Sequence, residues 1–507
     1  MINEKYKKVF LSQEANRCLL CHEASCTKAC PKGLKPDAFI RSIKFNDEIN
    51  LDDFINKDLC ANCDAPCEAS CIHFDFPIRI KDMVEAADIK HVDINDVDLS
   101  VSYLGIKCEN PFFLSSSIVA GGYEMCTKAL HEGWAGIVYK TITVFDTPEA
   151  SPRFDAVKKF IGSSFVGFRN MEQASEHTLE EDIETLSRLK RENPTKVIGV
   201  SIMGRNEAEW TYLAKRLTEA NVDFIECNFS CPHSASGTGA VVGQCPDVVK
   251  SFVEAVKKGT NLPVVAKMTP NISDMVPSAY AALKGGADGL AAINTIKCIS
   301  GINLNKKYDE VSPHQVNGKS TPSGYSGKAA KPIALRFMYD IKTNDLTKEA
   351  PLSGMGGVET WQDAAEFLAL GCDTVQVTTA IMEYGYRIVK DMITGFKAFL
   401  KENNYKSVSE FIGSSLKDFV ALEQLERNTI VLPKYDMDKC IGCGRCYISC
   451  FDAGHQALTF DSETRKIKFN AKKCVGCHLC SLVCPANAIT KVLKRFDKKV
   501  TPKPKYI

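Results

Sequence analysis

The chain has 507 residues, of which 45% are hydrophobic and 25% are charged, and its formal net charge is +1. This length suits two to four domains, and the composition is typical of folded globular proteins rather than disordered ones. The balanced charge predicts no nucleic-acid or anionic-lipid partner, and no uncharged apolar run reaches the roughly 18 residues of a membrane span. The first residues, MINEKYKKVF, lack the apolar core of a secretory signal. We therefore expect a cytoplasmic protein that does not bind membranes.

The 23 cysteines are unevenly distributed along the chain. Eight lie between Cys18 and Cys71, eight lie between Cys440 and Cys484, and seven are spread over the residues between these groups. In an intracellular protein, clustered cysteines more often bind metals or carry out redox chemistry than form disulfides. The distribution predicts three domains, which span residues 1–95, 96–430 and 431–507.

The first cysteine group surrounds a helical sequence. Its spacing is Cys18-x2-Cys21-x4-Cys26-x3-Cys30-Pro31, followed by Cys60-x2-Cys63-x3-Cys67-x3-Cys71. Between the two halves, Phe39, Ile40 and Ile43 recur at helical spacing, with no alternation of the strand type. We expect a small helical domain that holds two iron–sulfur clusters, with structural zinc as the alternative.

Eight short apolar runs follow and alternate with longer stretches. They predict strands at residues 111–115, 136–141, 197–202, 223–229, 263–268, 288–294, 351–355 and 373–378. Amphipathic helical periodicity is clearest at 180–193, 207–220 and 247–259. This alternation favours a TIM (β/α)8 barrel, with a doubly wound open sheet as the alternative. In a barrel, residues at the carboxyl ends of the strands form the active site.

The predicted strand ends are rich in polar and small residues. They carry Lys140 and Thr141, Asn228 through Ser230 to Cys231, Lys267, Asn294 and Thr295, Gly356 and Gly357, and Thr378 and Thr379. Glycines after the seventh strand and hydroxyls after the eighth match the phosphate site of such barrels. The two lysines are suited to a reduced, negatively charged flavin.

The last cysteine group contains the pattern CxxCxxCxxxC twice. The copies consist of Cys440, Cys443, Cys446 and Cys450, and of Cys474, Cys477, Cys480 and Cys484. This doubled run, which ends in Cys-Pro, favours two [4Fe–4S] clusters over zinc. It resembles the bacterial two-cluster ferredoxins and predicts a ferredoxin-like fold. The resemblance implies one cluster on Cys440, Cys443, Cys446 and Cys484, and another on Cys450, Cys474, Cys477 and Cys480.

The middle of the chain resembles the FMN domain of dihydropyrimidine dehydrogenases. The similar runs are ASPRF, GFRNMEQ, NFSCPHSASGTGAVVGQ, VAKMTPNISDM, AINT, KPIALR and SGMGGVETWQDAAEFLALG. The N-terminal spacing is similar to the iron–sulfur domain shared by that family and the glutamate synthase small subunits. It implies one [4Fe–4S] cluster on Cys18, Cys21, Cys26 and Cys71, and another on Cys30, Cys60, Cys63 and Cys67. The implied activity is reduction of uracil or thymine to the 5,6-dihydropyrimidine, or the reverse.

The resemblance also implies roles for individual residues. Cys231 is the expected general acid, which protonates pyrimidine C5 while flavin N5 delivers hydride to C6. Its run CPHSASGTGAVVGQ has the composition of a mobile lid. The expected pyrimidine contacts are Asn170, Asn228, Ser230, Asn294 and Thr295. The expected FMN contacts are Ser115, Ser116, Lys140, Thr141, Lys267, Asn294, Ser326, Gly327, Gly356, Gly357, Thr378 and Thr379.

The fused enzymes of this family carry FAD- and NADPH-binding domains that we do not find here. Only ~30 residues separate Cys71 from the barrel, too few for a nucleotide-binding domain of ~100 residues, and no GxGxxG opens a βαβ unit. We expect a homodimer whose four clusters receive electrons from a separate NAD(P)H-oxidising flavoprotein subunit, with ferredoxin as the alternative donor. Two other functions stay open. One is a dihydroorotate dehydrogenase-like or other FMN-dependent C=C reductase, and the other is a non-catalytic FMN and Fe–S electron-transfer subunit.

Overall fold

The computed structural model describes residues 7–45, 48–159, 163–231, 239–302, 319–427 and 429–497. Residues 232–238 of the expected lid, His233 among them, lie outside the described residues. The chain divides into two compact units. The first comprises Met1–Lys44, Asn50–His91 and Phe419–Ile507, and the second comprises Phe45–Ile49 and Val92–Asp418. The division into three domains stays a prediction, because the first unit contains both cysteine groups.

The N-terminal part of the first unit is helical, as expected. Its helices are α1 (Lys7–Arg17), α2 (Ser25–Lys28), α3 (Pro36–Lys44), α4 (Lys57–Ala61), α5 (Pro66–Ala69) and α6 (Ile80–Ala86). The apolar face of α3 buries Phe39, Ile40 and Ile43 in one cluster with Leu11 and Met83. Several cysteines pack against this cluster, so the thiols are held by a small apolar core.

The second unit is built around a closed barrel of eight parallel strands, which confirms the predicted fold class. A hairpin of β1 (Val101–Tyr103) and β2 (Ile106–Cys108) precedes it. The barrel strands are β3 (Phe112–Leu114), β4 (Gly136–Ile142), β7 (Val197–Ile202), β8 (Phe224–Asn228), β9 (Val264–Lys267), β10 (Gly289–Ala292), β13 (Leu352–Met355) and β14 (Thr374–Val377). Every predicted strand run overlaps one of them, and seven of the eight runs contain the whole strand. The strands are buried throughout, as expected where helices cover a parallel sheet.

Helices connect the barrel strands. They are α7 (Tyr123–Glu132), α8 (Leu179–Glu192), α9 (Glu207–Thr218), α10 (Ala240–Gly243), α11 (Pro246–Gly259), α12 (Val276–Lys284), α13 (Lys331–Thr343), α14 (Trp361–Ala369), α15 (Thr379–Tyr384), α16 (Ile388–Glu402) and α17 (Val408–Phe411). Helix α8 begins with a capping box, in which Thr178 and Glu181 satisfy each other's backbone N–H groups. The three helices predicted from periodicity agree with α8, α9 and α11 to within about two residues at each end.

Two βα connections contain an antiparallel sheet that the sequence did not predict. Its strands are β5 (Phe154–Lys158) and β6 (Phe165–Asn170) after β4, and β11 (Ile296–Cys298) and β12 (Ser323–Ser326) after β10. The strand order is β11-β12-β6-β5, with Gly324 of β12 opposite Asn170 of β6. These strands are short and only partly buried, so they lack the apolar alternation that marks longer strands.

The C-terminal part of the first unit contains two antiparallel strand pairs and two helices. Strand β15 (Thr429–Tyr435) pairs with β18 (Ile489–Asp497), and β16 (Leu458–Asp461) pairs with β17 (Lys466–Phe469). Helix α18 (Arg445–Ala453) contains Cys446 and Cys450 of the first repeat, and helix α19 (Leu479–Leu482) contains Cys480 of the second. This is the expected ferredoxin-like arrangement. Within the part of the chain that the structure describes, no helix is long and apolar enough to span a membrane.

Substitution of Trp210 tests how much the packing of an outer helix contributes to the stability of the barrel. Its side chain is buried on α9, with ring centroids 5.3 Å from Phe229 and 5.6 Å from Phe252. We expect Trp210→Ala to destabilise the second unit by about 3–5 kcal/mol, because a cavity replaces these contacts. The urea midpoint followed by circular dichroism should fall accordingly. Tyr212→Ala, on the exposed side of the same helix, is the matched control, and equal midpoints for the two variants would contradict the prediction.

Candidate active site

Two cavities open where the barrel strands end. The larger has a volume of about 770 Å³ and the smaller about 480 Å³. Their walls share Ser116, Ser117, Asn170, Asn294 and Thr295, so the two cavities adjoin each other. The walls of both cavities include many residues that lie at or after the carboxyl end of a barrel strand.

The larger cavity collects the expected FMN contacts, with the exception of Lys140 and Thr141. Its walls include Ser115, Ser116, Lys267, Asn294, Ser326, Gly327, Gly356, Gly357, Thr378 and Thr379. The smaller cavity contains Lys140 and Thr141 together with most of the expected pyrimidine contacts. These are Asn170, Asn228, Asn294 and Thr295, and Cys231 lies in the same wall. Ser230 lines neither cavity and is fully buried behind them.

A chain of hydrogen bonds fixes the amides of the smaller cavity. Asn294 Nδ2 donates to Ser230 Oγ at 2.8 Å, and Ser230 Oγ donates to Asn228 Oδ1 at 3.0 Å. Asn228 Nδ2 then donates to Thr141 Oγ1 at 3.0 Å, and this hydroxyl meets Ser201 Oγ at 2.9 Å. Each amide nitrogen has a second hydrogen, which suits a ring that offers carbonyl acceptors. Ser230 Oγ therefore connects the amides of Asn228 and Asn294, and its contact with a pyrimidine stays a prediction.

The cation of the larger cavity is paired with a carboxylate in the barrel interior. Lys267 Nζ lies 3.2 Å from Glu226 Oε1 and donates to Ser116 Oγ at 2.9 Å. Ser116 Oγ donates to the same carboxylate at 2.8 Å, and Gln376 Nε2 lies 3.3 Å from its other oxygen. Glu226 is fully buried, so its charge requires these partners. Sequence reasoning missed Glu226, although an acidic residue inside the apolar run DFIECNF was the available signal.

The cation of the smaller cavity is paired in the same way. Lys140 Nζ lies 2.5 Å from Glu172 Oε2, and Arg153 Nη1 lies 2.7 Å from Glu172 Oε1. Glu172 is itself part of the cavity wall. Its backbone N–H donates to Asn170 Oδ1 at 2.6 Å, so the carboxylate and the expected pyrimidine contact form one rigid turn. The run GFRNMEQ contained Glu172, but its partner Lys140 is distant in sequence, and the pair was not anticipated.

The backbone around Gly357 forms a cradle that only glycine can make. Gly356 and Gly357 have φ values of +125° and +76°. A Cβ on Gly357 would lie 2.8 Å from both Gly327 O and Lys331 N. Backbone therefore approaches backbone closely at this end of the cavity, as in anion sites built from N–H groups. Together with Lys267, this cradle fits FMN.

Glu359 also lines the larger cavity and was not anticipated. Burial raises the pKa of its carboxyl to about 7, against the opposing effect of Lys328, whose Nζ lies 3.3 Å away. This group therefore changes charge near neutral pH.

Cys231 follows β8 and is 5% exposed. Cys227, one residue before the end of β8, is fully buried and lines neither cavity. Burial raises the pKa of Cys227 well above the ordinary range of a thiol. Of Cys227 and Cys231, Cys231 alone lines the smaller cavity.

The cysteines of the first unit line two cavities. Cys30, Cys60, Cys63 and Cys67 line one cavity of about 470 Å³, and Cys440, Cys443, Cys446 and Cys484 line another of about 440 Å³. Burial raises the pKa of Cys18, and the neighbouring thiols of Cys21 and Cys71 raise it further. Cys18 also raises the pKa of Cys26, to about 11, although burial is the main cause there. Cys474 and Cys477 contribute in the same way, after burial, to the raised pKa of Cys480.

Backbone N–H groups point at the thiol sulfurs of the C-terminal repeats. Gly442 N lies 3.5 Å from Cys440 Sγ, and Gly476 N lies 3.4 Å from Cys474 Sγ. Ala457 N approaches Cys450 Sγ at 3.3 Å. Such contacts stabilise thiolates and cluster sulfur, so these residues fit [4Fe–4S] clusters. The assignment of each ligand to a cluster stays a prediction.

Three family models match the chain. Residues 98–400 match dihydroorotate dehydrogenase, residues 434–491 match a 4Fe–4S dicluster domain, and residues 1–83 match the 4Fe–4S cluster domain II of dihydropyrimidine dehydrogenase. The crystal structure of a dihydroorotate dehydrogenase from Eimeria tenella in complex with ferulenol has a TM-score of 0.52 at 19% identity. The similarity covers 63% of this chain and 88% of that one, and it shows the fold alone.

Curated relatives share much of the sequence. The NAD-dependent dihydropyrimidine dehydrogenase subunit PreA of Escherichia coli K12 is 52% identical over 77% of this chain and 95% of its own length. The chloroplastic dihydropyrimidine dehydrogenase (NADP(+)) of Arabidopsis thaliana is 37% identical over 64% of this chain and 78% of its own. The catalytic subunit of dihydroorotate dehydrogenase B (NAD(+)) from Pyrococcus abyssi is 38% identical over 63% and 99%.

Metal analysis tests the cluster sites. Anaerobically purified protein should contain about sixteen iron and sixteen acid-labile sulfide atoms per chain. Cys443→Ala should lower the iron content by about four atoms, because one cluster loses a ligand. Cys245→Ala is the matched control, since Cys245 is exposed and lies outside both cysteine groups. Zinc without acid-labile sulfide would contradict the prediction.

Glu359 predicts a pH dependence of FMN affinity. Below about pH 7 the carboxyl is neutral, and above it the new negative charge disfavours an anionic ligand in the same cavity. The dissociation constant of FMN for the apoprotein, measured by fluorescence titration, should therefore rise between pH 6 and 8 by about tenfold. Glu359→Gln should remove this part of the dependence. An identical pH profile for both proteins would contradict the assignment.

Proposed function

Since this chain belongs to the dihydropyrimidine dehydrogenase family, whose members are oxidoreductases that act on CH–CH bonds, we propose that it interconverts uracil or thymine and the 5,6-dihydropyrimidine. The observation that carries the proposal is the smaller cavity, where Cys231 and the amides of Asn228 and Asn294 face one space. This space adjoins the cavity that fits FMN. When bound, FMN supplies hydride transfer to or from the ring carbon C6.

Cys231 holds the proton that the ring carbon C5 receives in the reducing direction. Hydride and proton together saturate the C5=C6 bond, so two electrons and two hydrogens are accounted for. In the reverse direction the Cys231 thiolate takes the proton from C5. Its nearly complete burial excludes bulk water, which would otherwise compete as a proton source.

The amides orient the ring. Asn228 and Asn294 are fixed through Ser230 and Thr141, so their remaining N–H groups point in directions that the protein has already set. Such preorganisation lowers the entropic cost of holding C5 beside the thiol. Asn170 faces the same cavity from the inserted sheet.

The hydrogen bonds that link Asn294, Ser230 and Asn228 favour this function over that of a non-catalytic electron-transfer subunit. A relay needs no donor array beside the flavin cavity, whereas the described residues build one from four elements of the barrel mouth. A dihydroorotate-type substrate shares the ring but adds a carboxylate.

The clusters supply the electrons. Each [4Fe–4S] cluster passes one electron, so the four clusters connect an external donor to a two-electron reaction. We propose a separate NAD(P)H-oxidising flavoprotein subunit as the donor, with reduced ferredoxin as the second candidate, and a homodimer as the working assembly. The Escherichia coli relative is named as a subunit, which supports a partner. Oxidation of NADPH by uracil with the purified chain alone would contradict this proposal.

Cys231→Ala tests the proton donor. We expect uracil to reoxidise dithionite-reduced enzyme 10²- to 10⁴-fold more slowly, which is roughly the range of a lost general acid. The FMN content should be unchanged, because Cys231 lines the smaller cavity alone. Cys245→Ala, an exposed cysteine after the same strand, is the matched control and should react normally.

The same measurement with a panel of oxidants distinguishes the functions. Reoxidation of the unmodified enzyme by uracil or thymine supports the proposal. Reoxidation by orotate alone identifies a dihydroorotate dehydrogenase, and reoxidation by none of the three identifies a relay. A near-normal rate in Cys231→Ala with uracil would refute the role of this thiol.

A further inference from the structure

The wall of the smaller cavity carries one cation among the described residues, and a carboxylate of the same wall engages it. Lys140 and Glu172 have side chains that are 8% and 5% exposed, with 2.5 Å between Nζ and Oε2. Arg153, outside the wall, binds the other oxygen of Glu172 at 2.7 Å and also pairs with Glu176 at the surface. Each carboxylate oxygen of Glu172 therefore lies within ion-pair distance of a cation.

A further carboxylate lies near this cluster. Glu149 Oε1 accepts from the backbone N–H of Gln173 at 2.7 Å, and the charge of Glu172 contributes, after burial, to the raised pKa of Glu149. In the adjoining cavity, Lys267 is engaged by Glu226. Among the described residues that line the two cavities, each lysine thus has a carboxylate partner. A ligand carboxylate in the smaller cavity would meet no unengaged positive charge there.

We propose that Glu172 is the specificity-determining residue of this site and selects uncharged pyrimidine rings against rings that bear a carboxylate, such as orotate. The inference rests on the proposed function, which places the ring in the smaller cavity. Glu172 acts in two ways. It holds Lys140 away from a ligand anion, and it presents a negative charge in the wall.

The energetics favour the neutral ring. Uracil and orotate share the ring and differ by the carboxylate on C6. To bind that carboxylate, Lys140 would have to leave Glu172. The carboxylates of Glu172 and of the ligand, both buried, would then compete for Lys140 and Arg153. Rejection through an opposing charge, with no loss of contacts to the preferred ligand, is a common route to specificity.

The fold places Glu172 where it can discriminate. Strand β6 ends at Asn170, whose Oδ1 accepts the backbone N–H of Glu172 at 2.6 Å. Asn170 lies opposite Phe154 of β5 and Gly324 of β12, and Arg153 directly precedes β5. The inserted sheet therefore fixes the ring contact, the carboxylate and its surface cation in one unit.

The experiment compares Glu172→Gln with Glu176→Gln in the FMN- and cluster-loaded enzyme. Glutamine keeps the shape of residue 172 and its hydrogen-bond acceptor but removes the charge. Orotate binding to the oxidised enzyme, followed by the change in flavin absorbance, should become at least about tenfold tighter in Glu172→Gln. Uracil binding should change by less than about threefold, and Glu176→Gln should match the unmodified enzyme for both ligands.

Arg153→Gln supplies a test of the opposite sign. It leaves the charge of Glu172 less compensated, so orotate binding should weaken while uracil binding is retained. An unchanged or weaker orotate affinity in Glu172→Gln, or a tighter one in Arg153→Gln, would overturn the inference. The proposed function is contradicted by a different result, namely that neither uracil nor thymine reoxidises the unmodified enzyme. The orotate affinities of the variants still decide the role of Glu172 in that case.

Discussion

A charge inside a protein has to find its counter-charge there, because the interior cannot solvate it. This constraint organises the mouth of the barrel. Lys267 and Lys140, the cations of the two cavities, each meet a buried glutamate at close range. Their ammonium groups are therefore fixed before any ligand arrives, and the site presents charges whose positions are already set. Fixed charges of this kind stabilise a reacting ligand more effectively than mobile ones, because no reorganisation accompanies the reaction.

The two glutamates come from different layers of the fold. Glu226 belongs to β8, a barrel strand that is buried along its whole length, so the pair on the cofactor side is part of the rigid barrel. Glu172 follows β6 of the inserted sheet, whose strands are only partly buried. A barrel strand thus carries the carboxylate that pairs with Lys267, and the residue that follows a strand of the inserted sheet carries the carboxylate that pairs with Lys140. This division agrees with the general observation that barrel enzymes change chemistry through their loops while conserving the strands.

The barrel was predictable because its strands are short apolar runs separated by helices of clear periodicity, as in VIGVSI and EAEWTYLAKRLTEA. The cysteine clusters were predictable because metal ligands are read from residue type and spacing alone. The inserted sheet was missed because β11 and β12 are three and four residues long and pair across a long sequence separation. The pairs of Lys267 with Glu226 and of Lys140 with Glu172 were missed for the same reason, since tertiary structure alone brings these residues together.

The pairing of β6 with β12 has a consequence for how this site can diversify. The two strands belong to connections that follow different barrel strands, yet their backbones form one ladder from Phe168 and Ser326 to Asn170 and Gly324. Recombination that exchanged one connection alone would leave a strand edge without its hydrogen-bonding partner, at a cost that buried backbone groups always carry. The two connections therefore form one structural module. New ring specificities on this scaffold should arise by point substitution within the module, or by transfer of both segments together.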